Sequence, residues 1–316
     1  MKKSVVCPVF GFLLVLSACV CSIQAAYADS EQSGFIEPGF AEVGRWHFSV
    51  SAGLGNKSNP LLQGDDFPLY ILPSVYYYGE QLFFENGDLG YSFVQRPEYV
   101  FSAIARLNEE VVHFVDWHPA NILVTQFINR ESESDGQKVE QSITDESLLH
   151  MSFEDDFAPG PAHINFKQLA ERKWSLDAGL QFDWFIDDSA SFRLRALADA
   201  SLIHDGKNFN FEYQKKWFNG AKWHMTMTLG TDWLSQQLTE YYYGISARDG
   251  VDPAYYYQPD SAWLPYIKLT PHYRLNENWR LVSLIKYQHL PDTLSKSPIV
   301  EKNYRLTWFA GVNYAF

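Results

Sequence analysis

Apolar and polar residues alternate along the last fourteen residues of the chain, 303–316. From Leu306 onward every second residue is apolar or small, and the positions between them are mixed. They include Arg305, Thr307, Gly311 and Asn313. Side chains on a β-strand point alternately to its two faces, so this segment has one apolar face and one more polar face. The pattern predicts a closing strand that ends on the aromatic residue Phe316.

The same alternation recurs along most of the chain and predicts twelve strands in all. The eleven further segments are 45–54, 67–78, 81–85, 88–94, 98–108, 174–184, 192–200, 207–218, 222–243, 263–274 and 279–289. Asn86-Gly87 is the strongest short hairpin signal in the sequence. An even number of strands brings the first and last ends of the barrel chain to the same side of the membrane. We therefore expect an all-β, transmembrane antiparallel barrel of about twelve strands, with ten as the alternative.

One long break, 109–173, interrupts the alternation. It carries acidic runs at 131–135 and 154–156 and two prolines at 159 and 161. A structureless stretch of this length is unusual inside a compact domain but ordinary as an outer loop of a barrel. Counting back from a periplasmic Phe316 places this break outside, together with 55–66, 244–261 and 290–301. The sequence thus predicts short periplasmic turns and long extracellular loops.

The first 28 residues have the features of an export signal. Lys2 and Lys3 precede an apolar run at 5–20, and Ala26-Tyr27-Ala28 is an A-x-A cleavage site. We expect a signal peptide at 1–28 and a barrel domain at 29–316. Leu16-Ser17-Ala18-Cys19 also resembles a lipobox, so lipidation of Cys19 is the alternative to cleavage after Ala28. All three cysteines lie in this leader, which leaves the expected mature chain without a thiol.

Composition and charge limit the classes of function that fit this chain. Aromatic residues make up 16% of the chain although the mean hydropathy is only −0.25, as expected for a barrel with interfacial aromatic girdles and a wet interior. The formal net charge of −13 argues against nucleic acid as a partner. Outer-membrane lipid and lipopolysaccharide are the expected surroundings.

Charged residues of both signs fall on the predicted inward face. They are Arg45, His47, Arg193, Arg195, Lys222, Lys268, His272, Arg274, Arg305, Asp177, Asp183, Asp199 and Asp232. One interpretation is a structural network of ion pairs that stiffens the wall. The other is a narrow selective pore in which these charges set the field.

The chain offers little that points to catalysis or to a metal. His272 and His289 have the chemistry of general bases, but no serine stands out beside them and no G-x-S-x-G motif occurs. The acidic run within 131–156 lacks the spacing of a calcium loop. Tyrosines at 241–243 and 255–257 suit either an interfacial girdle or a sugar-binding rim. We expect no enzyme activity, and no catalytic, cofactor-binding or metal-binding residues.

Several motifs, in order, resemble the MipA/OmpV family of outer-membrane proteins. They are Gly53-Leu54-Gly55, Asn59-Pro60, Gly64-Asp65-Asp66, Pro73, Tyr76-Tyr77-Tyr78-Gly79, Gln81-Leu82-Phe83-Phe84, Asp88-Leu89-Gly90-Tyr91, Tyr242-Tyr243-Gly244-Ile245 and Ser297-Pro298-Ile299-Val300. The last precedes the closing strand and is expected in an external loop or strand start rather than in a core. The stretch 109–173 looks longer and more acidic than is usual for the family.

The resemblance implies an outer-membrane barrel with no catalytic residues. The best-known member of the family is a scaffold that links a lytic transglycosylase to a murein synthase, and others are described as porin-like or adhesive. The leading hypothesis is therefore a non-enzymatic scaffold or binding protein for murein enzymes. A porin-like channel for small solutes is the alternative, and an adhesin or lipid hydrolase is a weaker one.

Overall fold

Twelve strands form a closed antiparallel barrel in the computed structural model, which describes residues 44–115, 164–219 and 222–316. The prediction of twelve strands is confirmed, and the ten-strand alternative is wrong. The strands are β1 (Trp46–Lys57), β2 (Phe67–Tyr78), β3 (Leu82–Glu85), β4 (Asp88–Gln95), β5 (Tyr99–Leu107), β6 (Leu176–Asp187), β7 (Ala190–Asp199), β8 (Lys207–Asn219), β9 (Trp223–Leu234), β10 (Ala262–Arg274), β11 (Trp279–His289) and β12 (Tyr304–Ala315).

Each strand pairs with its neighbours along the chain, and β12 closes the barrel by pairing with β1. At this seam Gly53 lies directly opposite Gly311. A Cβ on either glycine would come within 2.6 Å of backbone atoms of the other strand, so the two strands approach more closely than side chains would allow. The predicted closing strand is thus confirmed in position and in partner.

The two faces of the wall differ as the alternation predicts. Large apolar side chains are exposed on the outside, among them Trp46, Phe48, Leu54, Leu180, Trp184 and Trp263. The inward positions between them are mainly polar or small. A lipid-facing apolar band around a polar interior is the arrangement of an outer-membrane barrel. Among the described residues, no helix is long and apolar enough to cross a membrane.

The connections at the two ends of the barrel differ in length. At the periplasmic end the turns 79–81, 96–98, 188–189 and 275–278 are short. At the outer end the connections 108–175, 235–261 and 290–303 are long and contain helices. These are α1 (Gln236–Tyr243), α2 (Asp292–Ser295) and the 3-10 turns Glu110–His113, Phe166–Gln168, Ala247–Asp249 and Pro253–Tyr255.

One predicted strand is too long. β9 ends at Leu234 rather than running on to Tyr243, because the residues that follow form α1. The side chains buried in α1 are Leu238, Thr239, Tyr242 and Tyr243, at helical rather than strand spacing. The predicted leader at 1–28 and the acidic run within 131–156 lie outside the described residues.

Candidate functional site

The outer loops pack together into a hydrophobic core, which we call the cap. Its members come from four separate connections and from the outer ends of β9 and β10. They are Leu61, Val111, Ile164, Leu234, Leu238, Tyr242, Tyr243, Ile245, Ala262, Leu264, Leu290, Leu294, Ile299 and Val300. Most of these side chains are at most 1% exposed. The outer loops are therefore a folded layer with a core of its own.

Helix α1 lies across the mouth of the barrel, within the cap. The hydroxyl of Tyr242 lies 3.2 Å from that of Ser175, which immediately precedes β6. The next residue, Tyr243, hydrogen-bonds through its own hydroxyl to Arg305 on β12. Since β6 and β12 are six strands apart in a barrel of twelve, the two tyrosines reach opposite walls. Residues on one helical turn thus bridge the full width of the mouth.

A buried ion pair fixes the cap to the wall. Both guanidinium ends of Arg305 donate to Glu110, at 2.6 Å to Oε2 and 3.1 Å to Oε1, and the Tyr243 hydroxyl bonds to the same carboxylate. Burial opposes ionisation of Glu110, but the adjacent Arg305 charge outweighs it and holds the pKa of this carboxyl below its usual range. Glu110 therefore stays charged in the closed mouth.

Two motifs that carry the family resemblance meet in the cap. Ser297 donates its hydroxyl to the carbonyl oxygen of Tyr243 at 2.7 Å. The carbonyl of Ile299 accepts from the backbone N–H of Leu62 at 2.8 Å, and Val300 forms a β-bridge with Leu61. The prediction that 297–300 lies in an outer loop holds, but the prediction that it is outside a core is wrong. Ile299 is 0% exposed because the cap closes over it.

Below the cap, the lumen encloses a cavity of about 310 Å³ lined by paired charges. Arg193 donates to Asp183 at 2.6 Å, and Arg195 donates to Gln181 at 2.8 Å. Arg195 also lies 3.4 Å from Asp88, which shares its carboxylate with Arg106 at 3.2 Å. These contacts form a continuous ladder along one wall, from β4 to β7.

A second polar network crosses the opposite wall. Tyr266 donates its hydroxyl to Glu212 at 2.6 Å, and Asn210 and Gln288 each donate to Asp232 at 2.7 Å. The ladder on the first wall and this network together contain four of the thirteen predicted inward residues, Arg193, Arg195, Asp183 and Asp232. Such side-chain pairing across neighbouring strands is the arrangement expected of a stiffened wall.

Other predicted inward residues lie elsewhere. Lys222 and Arg45 are exposed at the periplasmic end, outside the strands. Asp199 accepts backbone N–H groups of residues 203–205 and shapes the turn after β7. His272 stacks on His224 with ring centroids 4.8 Å apart, and His289 is exposed at the end of β11.

Asp177, Asp199 and His204 form a buried group whose ligand atoms lie within 4.8 Å of one another. His204 Nδ1 accepts a hydrogen bond from the N–H of Gly206 at 2.9 Å, and Nε2 lies 3.5 Å from Asp177 Oδ1. With Nδ1 occupied in this way, the ring offers at most Nε2 as a ligand atom.

The residues that organise the mouth were missed in the sequence. Glu110 and His113 fall in the long break, where no alternation marks them as inward. Arg172, also in that break, is buried and donates to Asp249 at 2.8 Å and to the carbonyl of Gly244 at 3.0 Å. One signal is the run Tyr242-Tyr243-Gly244-Ile245, whose tyrosines in sequence suit either an interfacial girdle or a sugar-binding rim. In the structure its tyrosines are fully buried.

Acid is expected to loosen the cap through His113. Burial first, and then the charges of Arg305 and Lys57, hold the pKa of this imidazole well below its usual value. Opening restores the ordinary value of about 6.5, so the open form takes up a proton first. The contribution of His113 to the stability of the closed cap is fully present above about pH 6.5. Below that pH the free energy of cap opening falls by up to about 1.4 kcal/mol per pH unit.

This pH effect is measurable as hydrogen-exchange protection of α1, corrected for intrinsic rates, between pH 7.5 and 5.5. We expect protection to fall across this range in the natural protein and to stay nearly flat in His113→Asn. The matched control is His289→Asn, on the exposed end of β11. Equal pH slopes in the natural protein and His113→Asn would show that this imidazole does not carry the effect.

Comparison with known sequences gives a consistent family. The profile of the family described as "MltA-interacting protein MipA" matches residues 44–316. The MltA-interacting protein of Escherichia coli (strain K12) is 28% identical over 156 residues, which are 48% of this chain and 60% of that protein. YiaT of the same organism, a protein named for the outer membrane, is 32% identical over 96 residues, or 29% of this chain and 38% of its own length. The chain thus spans less than two thirds of these relatives.

Solved structures give more distant matches. An outer-membrane channel from Pseudomonas putida F1 aligns with 90% of this chain and 100% of its own, at 11% identity and a TM-score of 0.39. A loop-deletion variant of the outer-membrane protein OmpT of Vibrio cholerae aligns with 86% of this chain and 99% of its own, at 9% identity and a TM-score of 0.33.

Proposed function

The chain belongs to the MipA family of outer-membrane β-barrels, and on this basis we propose that it is a non-enzymatic scaffold that binds a murein-processing enzyme. The partner is of the MltA type, the protein for which the E. coli relative is named. Binding takes place at the periplasmic end of the barrel, where a murein enzyme works.

The packed cap is the observation that carries this proposal. A barrel that passes solutes along its axis needs an open mouth, whereas here α1 bridges opposite walls and is held by the Arg305–Glu110 pair. The lumen beneath is crossed by paired side chains. These features favour a binding role for the wall and its turns over conduction through the axis.

The periplasmic end has features that suit a fixed docking surface. Aromatic pairs stand near the periplasmic ends of the strands, with ring centroids 5.0–5.1 Å apart. They are Trp46 with Tyr77, Trp223 with Tyr273, and Trp279 with Tyr314. Such rings anchor a barrel at the level of the lipid headgroups. The short turns between strands are therefore held at a constant height above the membrane surface.

Site-specific blocking tests which end of the barrel binds. Glu277→Cys lies in the exposed periplasmic turn 275–278, and Lys296→Cys lies on the exposed outer side just after α2. Since the expected mature chain has no other cysteine, a 5-kDa maleimide polymer labels each variant once. Purified MltA-type transglycosylase is then captured on the labelled barrels. We expect the label at 277 to reduce capture at least tenfold and the label at 296 to leave it unchanged.

Two results would overturn the proposal. One is no capture of the enzyme by the unlabelled, folded barrel and none in cross-linked envelopes. The other is stable stepwise conductance of the natural barrel in a planar bilayer, because the cap then fails to close the axis. A loss of capture only with the label at 296 would move the docking surface to the outer end and contradict the periplasmic assignment.

A further inference from the structure

The wall of the barrel is incomplete beside β2. β3 has four residues and pairs with β2 only at 76–78, whereas β2 continues outward to Phe67. On this side of β2 no strand among the described residues pairs with 67–74. Strands that cross a bilayer need about 9–11 residues, so the four-residue β3 leaves the outer part of β2 without a neighbour on this side.

The floor of this gap is built at the hairpin turn. Asn86, at a φ of 49°, turns its side chain back toward β2, where Oδ1 accepts the N–H of Val75 at 2.8 Å and the hydroxyl of Ser74 at 3.1 Å. The N–H of Asn86 donates to the carbonyl of Val75 at 3.0 Å. The hairpin tip thus caps the paired part of β2.

Outward of the hairpin tip, the unpaired edge of β2 lacks one backbone hydrogen-bond donor. Backbone groups alternate between the two sides of a strand, so Pro73 faces the same side as Val75. Proline has no N–H, which removes one donor from the edge. On the other side of the gap, Ala105 of β5 pairs with Leu89 of β4, and β5 ends two residues later at Leu107. Three strand spacings separate β2 from β5, about 14 Å.

The lumen just inside the gap is apolar, unlike most of the interior. Leu69 and Leu72 of β2 pack with Val282, Leu284 and Phe309, and all five are at most 4% exposed. We call this group the apolar patch. On the lipid side of the same strand, Tyr70 and Ile71 are 59% and 64% exposed. Beside the unpaired edge, β2 therefore carries apolar side chains on both its lipid face and its lumen face.

A glycine on β1 makes room for the patch. A Cβ on Gly55 would lie 2.4 Å from the carbonyl oxygen of Trp308 and 3.0 Å from the ring of Phe309, so glycine allows the close approach of β1 and β12 here. The cavity under the cap reaches the same place, because Leu69, Asn86, Gly87 and Leu107 are among its walls. Lys57 and Lys286 line this cavity as well. The cavity therefore adjoins the hairpin tip, Leu69 and Leu284 of the patch, and two lysine side chains.

We propose that the gap between β2 and β5 is a lateral opening for a single-chain anionic amphiphile, a long-chain fatty acid, from the outer leaflet. Its acyl chain crosses the free edge of β2 and packs on the apolar patch, and its carboxylate is attracted to Lys57 and Lys286. A fatty acid matches both the apolar entrance at membrane depth and the cationic wall beyond it. This site is independent of any partner at the periplasmic end.

Binding of cis-parinaric acid, a fluorescent fatty acid, tests the site in the full-length barrel in phospholipid nanodiscs. We expect saturable binding by the natural protein above that of empty nanodiscs. Leu284→Asn places a polar group in the apolar patch and is expected to weaken binding at least tenfold. The matched control, Leu197→Asn, alters a buried inward leucine of a different apolar cluster and is expected to change binding less than threefold. Folding of each variant is checked by resistance to unfolding in unheated SDS gels.

A longer hairpin tests the route. Insertion of Thr-Val on each side of Asn86-Gly87 extends β3 and β4 into the gap and is expected to slow association at least tenfold. The proposal is overturned if the natural protein shows no saturable binding, or if Leu197→Asn loses binding as much as Leu284→Asn. It is also overturned if the longer hairpin binds as fast as the natural one. A nanodisc mass showing two copies joined at β2 would assign the edge to a second chain instead.

Discussion

Replacing Arg305 with alanine is expected to destabilise the closed cap by about 3–5 kcal/mol, the usual result of removing one partner of a buried ion pair. The change leaves the Glu110 carboxylate buried without its charged hydrogen-bond partner, and the Tyr243 hydroxyl still bonds to it. It also frees α1 from the β12 wall. Hydrogen exchange of α1 and of residues 110–113 reports the loss, while exchange of the strands should stay slow.

Two controls separate the buried charge from general damage. In Arg305→Met combined with Glu110→Met, no charge is left unpaired, and we expect most of the stability to return. Lys302→Ala breaks a more exposed pair in the same layer, with Asp66 at 3.0 Å, and is expected to cost at most about 1 kcal/mol. If the double variant opens as readily as Arg305→Ala, the unpaired charge is not the cause.

Leu238→Ala is expected to have the second largest effect, about 2–5 kcal/mol on cap opening, the range for a fully buried leucine. Leu238 is 0% exposed and lies on the same face of α1 as Tyr242, one turn away. A helix of eight residues has little stability of its own in water, so this packing is what keeps α1 folded. Losing the side chain therefore threatens the whole bridge across the mouth.

Limited proteolysis without denaturant measures this effect. We expect Leu238→Ala to be cleaved between 236 and 261 at least tenfold faster than the natural protein, with the barrel fragments remaining associated. Gln237→Ala is the matched control, since it is the neighbouring position but exposed. Cleavage of both variants at the same rate would mean that the cap core contributes little to closure.

The barrel itself was predictable because its cause is local. A wall between lipid and water needs an apolar residue at every second position, and this period is visible in β6 or β12 without any partner strand. The terminal alternation from Leu306 also fixed the inward identity of Arg305. Strand number followed from counting the segments, and pairing followed from the short turns between them.

The cap was not predictable in the same way. Its contacts join segments far apart in sequence, as between Glu110 and Arg305, and no periodicity announces them. In 235–243 the period changes from that of a strand to that of a helix within one turn, so β9 was extended too far. The sequence predicts Arg193 and Arg195 of β7 on the lumen side, but their partners, such as Gln181 for Arg195, depend on the register of neighbouring strands.

The wide sequence separation of the cap contacts also orders the folding of the chain. The N–H of Ser58 donates to the carbonyl of Leu306, and Leu61 bridges to Val300, so the layer joins the first hairpin to the last. Such pairs meet at low entropic cost only after β12 has docked on β1, because until then the connecting chain is one very long loop. The cap is thus a late-forming unit, and its formation signals that the first and last strands have met.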